Sequence, residues 1–201
     1  MLALSRFPRI TKKIGVVHPT TRAQRRFVAT ATTNANYNSL QEEIDNANQR
    51  YQGRLQISNT SDRGYGLVSS RPFHKGEKVM SSHAICICPC SDAHSVQMAW
   101  DQHAKIDLPA RFVNHSCDAN LGIKNNYSVD TGVYDFYALK YIDEGKELLW
   151  DYETSEYEIG SFETCLCGSA KCRVSMGGFK KNGDKVKEMY GDHIADYLKK
   201  R

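Results

Sequence analysis

The order of apolar and polar residues along the chain predicts short strands in its middle part. From residue 54 to residue 152, apolar residues occur in brief β-prone runs that Gly, Pro, Asn and Asp separate. One short helical turn fits among them, at Pro109–Val113. The predicted strands are Leu55–Ser58, Lys78–Cys88, Ser95–Trp100, Val133–Leu139 and Glu147–Trp150. This pattern indicates a mostly β fold with few helices, of the α+β class.

Helical patterns flank the predicted strands on both sides. Ser39 and Glu42 have the spacing of a capping box, which predicts a short helix from Ser39 towards Tyr51. Near the end of the chain, apolar residues recur at helical spacing. They are Val186, Met189, Tyr190, Ile194, Tyr197 and Leu198. We predict one C-terminal helix that continues through Gly191 and packs this stripe on the body, since glycine weakens a helix without necessarily breaking it.

Composition and charge narrow the functional class. The 201 residues are 40% hydrophobic, which is enough for the core of one domain, and carry a formal charge of +4. Residues 1–33 hold seven basic and no acidic residues, so the remainder has a net charge of −3. Because phosphate binding needs clustered Lys and Arg, we expect no direct binding of nucleic acid. The longest apolar run, Ala84–Cys88, is far shorter than the roughly 20 residues of a membrane span.

The basic segment at residues 1–33 is rich in Arg, Ser and Thr and has no apolar core. These features are typical of an organellar transit peptide, and Arg25-Arg26 resembles a mitochondrial processing site. The alternative is a disordered basic leader that serves as a nuclear address. We predict a location in the mitochondrial matrix, with the nucleus or cytosol as the alternative.

A dense group of cysteines stands near the C-terminus, at Cys165, Cys167 and Cys172. Three thiolates in so short a loop can converge on one zinc ion, which takes four ligands in a tetrahedron. The sequence therefore predicts a zinc knuckle that needs a fourth ligand from elsewhere. The alternatives are three unligated thiols or a redox pair.

A second group of cysteines, Cys86, Cys88 and Cys90, has alternate spacing on a predicted strand that Pro89 interrupts. We interpret these residues as small buried apolar side chains. A second metal site is the alternative.

Four segments occur in an order that resembles the SET-domain family of protein-lysine methyltransferases with a post-SET zinc motif. They are Arg63-Gly-Tyr-Gly66, the run from Arg111 to Asn120 that includes Asn114-His-Ser-Cys117, Glu147-Leu-Leu-Trp-Asp-Tyr152, and the cysteine knuckle. The resemblance covers roughly residues 54–176. One of these motifs alone would be weak evidence for the family, whereas four motifs in the right order are specific evidence for it.

The resemblance implies the roles of the site residues. The turn Arg63, Gly64, Tyr65, Gly66, together with Arg111, Asn114 and His115, would bind S-adenosylmethionine. Tyr152 matches the catalytic tyrosine at the end of a methyl-transfer channel, with Tyr137 and Trp150 as aromatic channel walls. Cys117 would join Cys165, Cys167 and Cys172 as the fourth zinc ligand. The cofactors are then S-adenosylmethionine and zinc.

The resemblance also implies a knotted small-sheet fold in which the segments of Asn114 and Tyr152 cross. We divide the chain into a basic leader (1–33), a linker with a short helix (34–53), a SET domain (54–160), a post-SET zinc knuckle (161–177) and a C-terminal helix (178–201).

The implied function is methyl transfer to a lysine of a protein substrate, histone or non-histone, by a chain that we expect to be a monomer without membrane contact. Trp150 stands where many members have Phe or Tyr, which leaves the number of transferred methyl groups open. The alternatives are a non-catalytic SET module that acts as a protein-binding scaffold and a small structural zinc protein without a ligand.

Overall fold

The computed structural model describes residues 39–60, 63–88, 92, 94–127, 130–160 and 164–200. The chain divides into two units, residues 1–40 and residues 41–201, and the fold given below is that of the second unit. The predicted leader at residues 1–33 lies outside the described residues.

A first helix, α1, covers residues 39–50, as the capping pattern predicts. Its residues Ile44 and Ala47 are 3% exposed, because a spacing of three places both on the face that packs against the body. An ion pair of 2.7 Å between Glu43 and Arg111 joins this helix to the segment that precedes the Asn114 motif. The region assigned as a linker therefore contributes to the core.

The described part of the chain contains nine strands in two sheets. A two-stranded antiparallel hairpin is formed by β1 (Leu55–Thr60) and β2 (Gly64–Ser69). The larger sheet has the order β4-β5-β3-β8-β7-β9-β6. Its members are β3 (Lys78–Cys88), β4 (Ser95–Ala99), β5 (Gln102–Ile106), β6 (Asn114–His115), β7 (Leu121–Asn125), β8 (Gly132–Ala138) and β9 (Leu149–Trp150). The prediction of a mostly β fold with few helices is confirmed.

The core lies where the hairpin meets the central strands of the larger sheet. Leu67 of β2 accepts a backbone hydrogen bond of 2.7 Å from Leu148, and both side chains are fully buried. Tyr134 and Phe136 of β8 are also fully buried. Burying these large side chains is the main stabilising contribution, about 1.5–3 kcal/mol for each apolar side chain.

The C-terminal segment forms two helices rather than the single one predicted. Helix α2 (Phe179–Tyr190) ends at Gly191, whose φ of +53° a residue with a side chain rarely adopts, and α3 (Asp196–Lys199) follows. The prediction of one continuous helix is therefore wrong, although Val186, Ile194 and Leu198 are buried as the stripe required. Among the described helices, none combines the length and the apolar character needed to cross a bilayer.

The predicted burial of the second cysteine group is wrong for Cys86, which is exposed on β3. Its neighbours Ile85 and Ile87 are each 59% exposed. This part of β3 extends beyond the packed body, and strand periodicity alone does not reveal where a strand leaves the core. The side chain of Cys88 and all of Cys90 lie outside the described part of the chain.

Candidate active site and metal centre

Two motifs far apart in sequence meet at the edge of the larger sheet. Strand β6 pairs in parallel with β9, so that Asn114 lies opposite Leu149 and His115 opposite Trp150. Ser116 donates a backbone hydrogen bond of 3.1 Å to the Trp150 carbonyl. This parallel pair brings the Asn114 and Tyr152 motifs side by side.

A polar cluster connects this edge with the turn at Arg63–Gly66. The side-chain amide of Asn114 donates hydrogen bonds to the Tyr65 carbonyl (3.2 Å) and to Glu147 Oε1 (3.0 Å). The other oxygen of Glu147 pairs with Arg63 at 2.7 Å. Glu147 thus orders two of the predicted cofactor residues, Asn114 and Arg63. Sequence reasoning missed this role, since a single acidic residue carries no distinctive signal.

The close approach of these groups explains the glycine at position 66. A Cβ there would lie 2.8 Å from Thr60 Cγ2, so that Thr60 would have to move, and 3.1 Å from Asn114 Nδ2, which is a tight contact. The Tyr65 ring stacks on Phe112 with ring centroids 5.1 Å apart, so that only the backbone carbonyl of Tyr65 contacts the Asn114 amide. The turn therefore fits a role in which backbone atoms, rather than side chains, face a ligand.

His115 occupies the boundary between the polar cluster and the cysteines. Its Nδ1 accepts a hydrogen bond of 3.2 Å from the Tyr152 backbone N–H, and its Nε2 lies 3.4 Å from Cys117 Sγ. Burial lowers the pKa of His115 to about 4, so the ring is neutral at pH 7. Because Nδ1 acts as an acceptor, the single ring proton belongs on Nε2, from which it can be donated to Cys117.

The sulfur atoms of the knuckle converge on the end of strand β6. Cys117 Sγ lies 3.7 Å from Cys165 Sγ. The ligand atoms of His115, Cys117, Cys165 and Cys167 all lie within 4.8 Å of one another. A tetrahedral zinc site with bonds of ~2.3 Å requires sulfur atoms about 3.8 Å apart. The observed separation fits zinc and is too long for a disulfide bond of about 2.05 Å.

The donor chemistry indicates which groups would hold zinc. Burial raises the pKa of Cys117 to about 11, so a thiolate at this position needs a nearby cation such as the metal itself. If Nε2 of His115 carries the ring proton, it donates to that thiolate and is not a ligand. Cys172 packs against Cys117 and Cys165, and its sulfur accepts a hydrogen bond of 3.4 Å from the Val174 N–H. Cys172 thus remains an expected ligand together with Cys117, Cys165 and Cys167, although the structure places the His115 ring rather than the Cys172 sulfur in the group of ligand atoms within 4.8 Å of one another.

Purified protein is expected to contain one zinc ion per chain, and Cys117→Ser is expected to lose it together with part of the stability. The reason is that three remaining thiolates leave the tetrahedron incomplete and the knuckle unattached to β6. Elemental analysis and thermal unfolding with and without a chelator measure both effects. Cys86→Ser changes an exposed thiol on β3 and should keep the metal. Full zinc content in Cys117→Ser would contradict this assignment.

Tyr152 lines a cleft whose walls include Val96, Ile106 and Trp150. Its hydroxyl donates a hydrogen bond of 2.9 Å to the Val113 carbonyl. Burial and, to a smaller extent, the nearby Glu156 carboxylate raise the pKa of Tyr152 to about 12. The phenol is therefore protonated at pH 7 and can serve as a donor and a positioning group, but not as a base.

Of the two aromatic residues predicted to line the channel, Trp150 lies at the cleft and Tyr137 does not. Trp150 lines the cleft, is 2% exposed and donates from Nε1 to Thr154 Oγ1 at 2.7 Å. Tyr137 is not brought to the cleft, since its ring contacts His193 at a centroid distance of 6.0 Å. The physical reason is strand alternation, because Phe136 points to Trp150 and its neighbour Tyr137 must point to the opposite face.

The remaining predicted cofactor residue, Arg111, also lines the cleft, while its guanidinium is engaged by Glu43 of α1. The structure thus brings Arg63, Tyr65, Gly66, Asn114 and His115 together in one group, with Arg111 at its side.

Glu156 is a second acidic residue that sequence reasoning missed. It lines the same cleft as Tyr152, and its side chain is 14% exposed. Burial raises the pKa of Glu156 to about 7, against hydrogen bonds from Gln97 N–H and Ser155 that lower it. The acidic run around residue 156 resembles an ordinary solvated segment, and only the packing of β4 over it creates this environment.

The unmodified protein is expected to lose stability relative to Glu156→Gln as the pH rises from 4.5 to 7. The measured quantity is the difference between the two free energies of unfolding. In this window the unfolded carboxyl ionises while the folded one keeps its proton, so ionisation favours unfolding and the unmodified protein loses stability. The difference should reach about 3 kcal/mol at most, at 1.36 kcal/mol per unit of pKa. Urea titrations at several pH values measure it. A difference that does not vary with pH would contradict the assigned environment.

A buried ionic group attaches the knuckle to the segment that carries Tyr152. Arg173 binds both oxygens of Asp151 at 2.7 Å and Glu153 Oε2 at 2.8 Å, and both acidic side chains are fully buried. Glu153 Oε1 also accepts the backbone N–H groups of Gly177 and Gly178 at 3.0 Å. Since Asp151 and Glu153 flank Tyr152, this group fixes the tyrosine from both sides.

Comparison with known proteins identifies the domain. The family described as SET domain matches residues 64–153, which include the Arg63–Gly66 turn from Gly64 onward, the Asn114–His115 strand and Tyr152. The chain contains a SET domain. This result confirms the family expected from the four motifs.

Among curated relatives of the SET domain is the H3 lysine-9 specific histone-lysine N-methyltransferase KMT1 of Fusarium mangiferae. It is 43% identical over an alignment of 77 residues, and the match covers 32% of this chain and 22% of that protein. The match therefore spans about a fifth of the length of this relative.

Solved structures share the fold of the SET domain. The methyltransferase domain of the human histone-lysine N-methyltransferase SETMAR has a TM-score of 0.50 and 20% identity, and the match covers 63% of this chain and 59% of that one. KRYPTONITE, solved with mCHH DNA, an H3(1-15) peptide and SAH, has a TM-score of 0.50 and 18% identity, with 60% of this chain and 29% of that chain covered. At these identities the likeness establishes the fold.

Proposed function

We propose that this chain is an S-adenosylmethionine-dependent protein-lysine N-methyltransferase. The observation that carries the proposal is the position of Tyr152. It lies directly beside the His115 strand, in a cleft whose walls include Val96, Ile106 and Trp150, and its hydroxyl donates to the Val113 carbonyl. Relatives that carry the name histone-lysine N-methyltransferase and the SAH-bound structure of KRYPTONITE support the same activity.

The residues that would hold S-adenosylmethionine are the turn Arg63–Gly66 and Asn114 with His115. A tight turn with an amide and a neutral imidazole beside it offers uncharged donors and acceptors together with Arg63 and Glu147. When bound, this molecule supplies an electrophilic methyl group on a sulfonium. The protein must then align a lysine nitrogen with that methyl group, and such alignment is worth up to about 7–11 kcal/mol.

The cleft is suited to a lysine side chain. Val96 and Ile106 can contact its methylene stem, and Trp150 supplies an aromatic wall for a cationic head. Free lysine has a pKa of ~10.4, and a desolvated cleft favours its neutral, nucleophilic form. Tyr152, protonated at pH 7, would orient the amine. The net charge of −3 on residues 34–201 suits a basic protein substrate, whether histone or non-histone.

The test is transfer of labelled methyl groups from S-adenosylmethionine to a protein extract, combined with calorimetric titration of the same compound. Labelled lysine in the extract, identified by mass spectrometry, is the expected result. Binding of S-adenosylmethionine without any transfer would contradict the enzyme function. Absence of both, with zinc present, would favour a structural or scaffolding SET module.

We infer in addition that the basic segment at residues 1–33 is a mitochondrial address. Its seven basic and no acidic residues support this inference. A fluorescent reporter fused behind residues 1–40 should enter mitochondria, and a diffuse or nuclear signal would contradict the inference. The substrate would then be an organellar protein, bound by a monomeric chain without nucleic acid.

A further inference from the structure

Glu156 stands one helical turn beyond Tyr152 and faces the same cleft. Its backbone N–H donates a hydrogen bond of 2.9 Å to the Tyr152 carbonyl, which places the two residues above one another on one side of the turn. Both side chains line the cleft with Val96, Ile106 and Trp150. Asp92 and Glu158 also line the cleft but are exposed, so Glu156 is the acidic residue that lies largely buried beside the proposed catalytic tyrosine.

The carboxyl of Glu156 is held in a fixed position. Its Oε1 accepts hydrogen bonds from the Gln97 N–H at 2.7 Å and the Ser155 hydroxyl at 3.2 Å. Its Oε2 lies 3.8 Å from His103 Nε2. One oxygen is thus anchored to the protein, and the other has a contact longer than an ordinary hydrogen bond.

The groups around Glu156 do not neutralise it. Within the described residues, His103 is its ion-pair partner, and burial lowers the pKa of His103, so that this ring is uncharged at neutral pH. The guanidinium of Arg111, across the cleft, is paired with Glu43. The other titratable groups that face Glu156 or share its cleft are Asp92, His94, Tyr134, Tyr152, Glu158 and Tyr197. A buried carboxyl without a protein cation suits a cationic ligand.

We propose that Glu156 receives the ammonium group of the substrate lysine in this cleft and takes its proton before methyl transfer. This assignment rests on the proposed function. An N–H bond of the lysine Nζ breaks and an O–H bond forms at Glu156 Oε2. The freed electron pair of Nζ then forms the new N–C bond, while the C–S bond of the methyl donor breaks and its electrons stay on sulfur. The proton leaves Glu156 for water after the product departs.

The first test measures binding without catalysis. The probe n-butylammonium reproduces the stem and head of lysine, and n-butanol is its neutral counterpart. At pH 8 the full-length protein is expected to bind n-butylammonium at least tenfold more tightly than Glu156→Gln does, whereas n-butanol should bind equally to both. The variant Glu188→Gln removes an exposed charge on α2 and should behave as the unmodified protein. Equal affinity of n-butylammonium for all three proteins would overturn the proposal.

The second test is the pH dependence of methyl transfer. Loss of a general base should lower kcat of Glu156→Gln at pH 7.5 by about 10²-fold. The rate of the unmodified protein should reach a plateau near pH 8, whereas that of the variant should continue to climb towards pH 10, where lysine loses its proton unaided. Glu156→Asp keeps the carboxylate and should restore the plateau at a lower kcat. Identical pH profiles for the unmodified protein and Glu156→Gln would overturn the proposal.

The two tests separate this assignment from the proposed function. If the unmodified protein transfers no methyl group yet binds n-butylammonium through Glu156, the methyltransferase function fails while the recognition of an ammonium group is supported. Circular dichroism of Glu156→Gln verifies that the variant is folded.

Discussion

Replacing Arg173 by methionine is expected to lower the free energy of unfolding by about 3–5 kcal/mol. The change removes the cation that binds Asp151 at 2.7 Å and Glu153 at 2.8 Å. Both carboxylates have side-chain exposures of 0%, so each would remain buried without its cation. The loss of an ionic partner inside a protein costs far more than the loss of one at the surface, because water cannot replace it.

The effect of Arg173→Met should extend to catalysis. Arg173 also donates its backbone N–H towards Cys117 Sγ at 3.5 Å, so the knuckle and the Tyr152 segment share one support. We expect both zinc content and methyl transfer to fall. Neutralising the two acidic partners in the same chain, with Asp151→Asn and Glu153→Gln, should recover part of the stability, since no buried charge is then unpaired.

Urea denaturation measures the stability change, and Lys171→Met is the matched control. Lys171 pairs with Asp118 at 2.9 Å, with side-chain exposures of 62% and 39%. Exposed pairs of this kind contribute about 0–1 kcal/mol. If Arg173→Met were as mild as Lys171→Met, the buried ionic group would have no structural importance and the proposed support of Tyr152 would be wrong.

Replacing Tyr152 by phenylalanine is expected to lower kcat for methyl transfer by about 10²–10³-fold, the usual effect of removing one well-placed hydrogen-bond donor from an active site. The phenol is protonated at pH 7 and donates to Val113 at 2.9 Å. Its loss removes the group that would orient the lysine amine. The free energy of unfolding should fall by only about 1–3 kcal/mol, the cost of leaving one carbonyl without its donor.

Initial rates with labelled S-adenosylmethionine measure this effect, and calorimetry verifies that the affinity for that compound is unchanged. Tyr127→Phe is the control, because Tyr127 is 75% exposed and its hydroxyl bonds to Asp196 at 2.8 Å, away from the cleft. An unchanged kcat in Tyr152→Phe would show that this tyrosine is not part of the catalytic apparatus.

Much of the candidate site could be predicted because its parts are local motifs. The cysteine spacing from Cys165 to Cys172 and the run from Asn114 to Cys117 each place several functional groups within a few residues. Local spacing survives in any fold that keeps the segment intact. The SET-domain match over residues 64–153 includes the run from Asn114 to Cys117, whereas the cysteine group from Cys165 to Cys172 lies outside it.

Groups that depend on distant packing could not be predicted in this way. Glu147 orders Asn114 and Arg63 across 33 and 84 positions of sequence, and Arg173 reaches Asp151 across 22. The sequence alone does not distinguish a charged residue that the fold buries from one that stays exposed to solvent, because both stand in polar segments. The same reason explains Tyr137, whose face of β8 is set by its pairing with β3 and β7.

The sequence by itself determined the mostly β class, the helix at residues 39–50 and the dense cysteine group, because hydrophobic period, capping residues and ligand spacing act over short distances. It indicated Tyr152 as the candidate catalytic residue through the resemblance of its motif to the SET-domain family. Only the tertiary structure decided that the last segment breaks at Gly191, that Cys86 is exposed and that Glu156 faces the cleft beside Tyr152. These outcomes depend on which surfaces meet, and the free energy of burying a group is set by neighbours that lie far away along the chain.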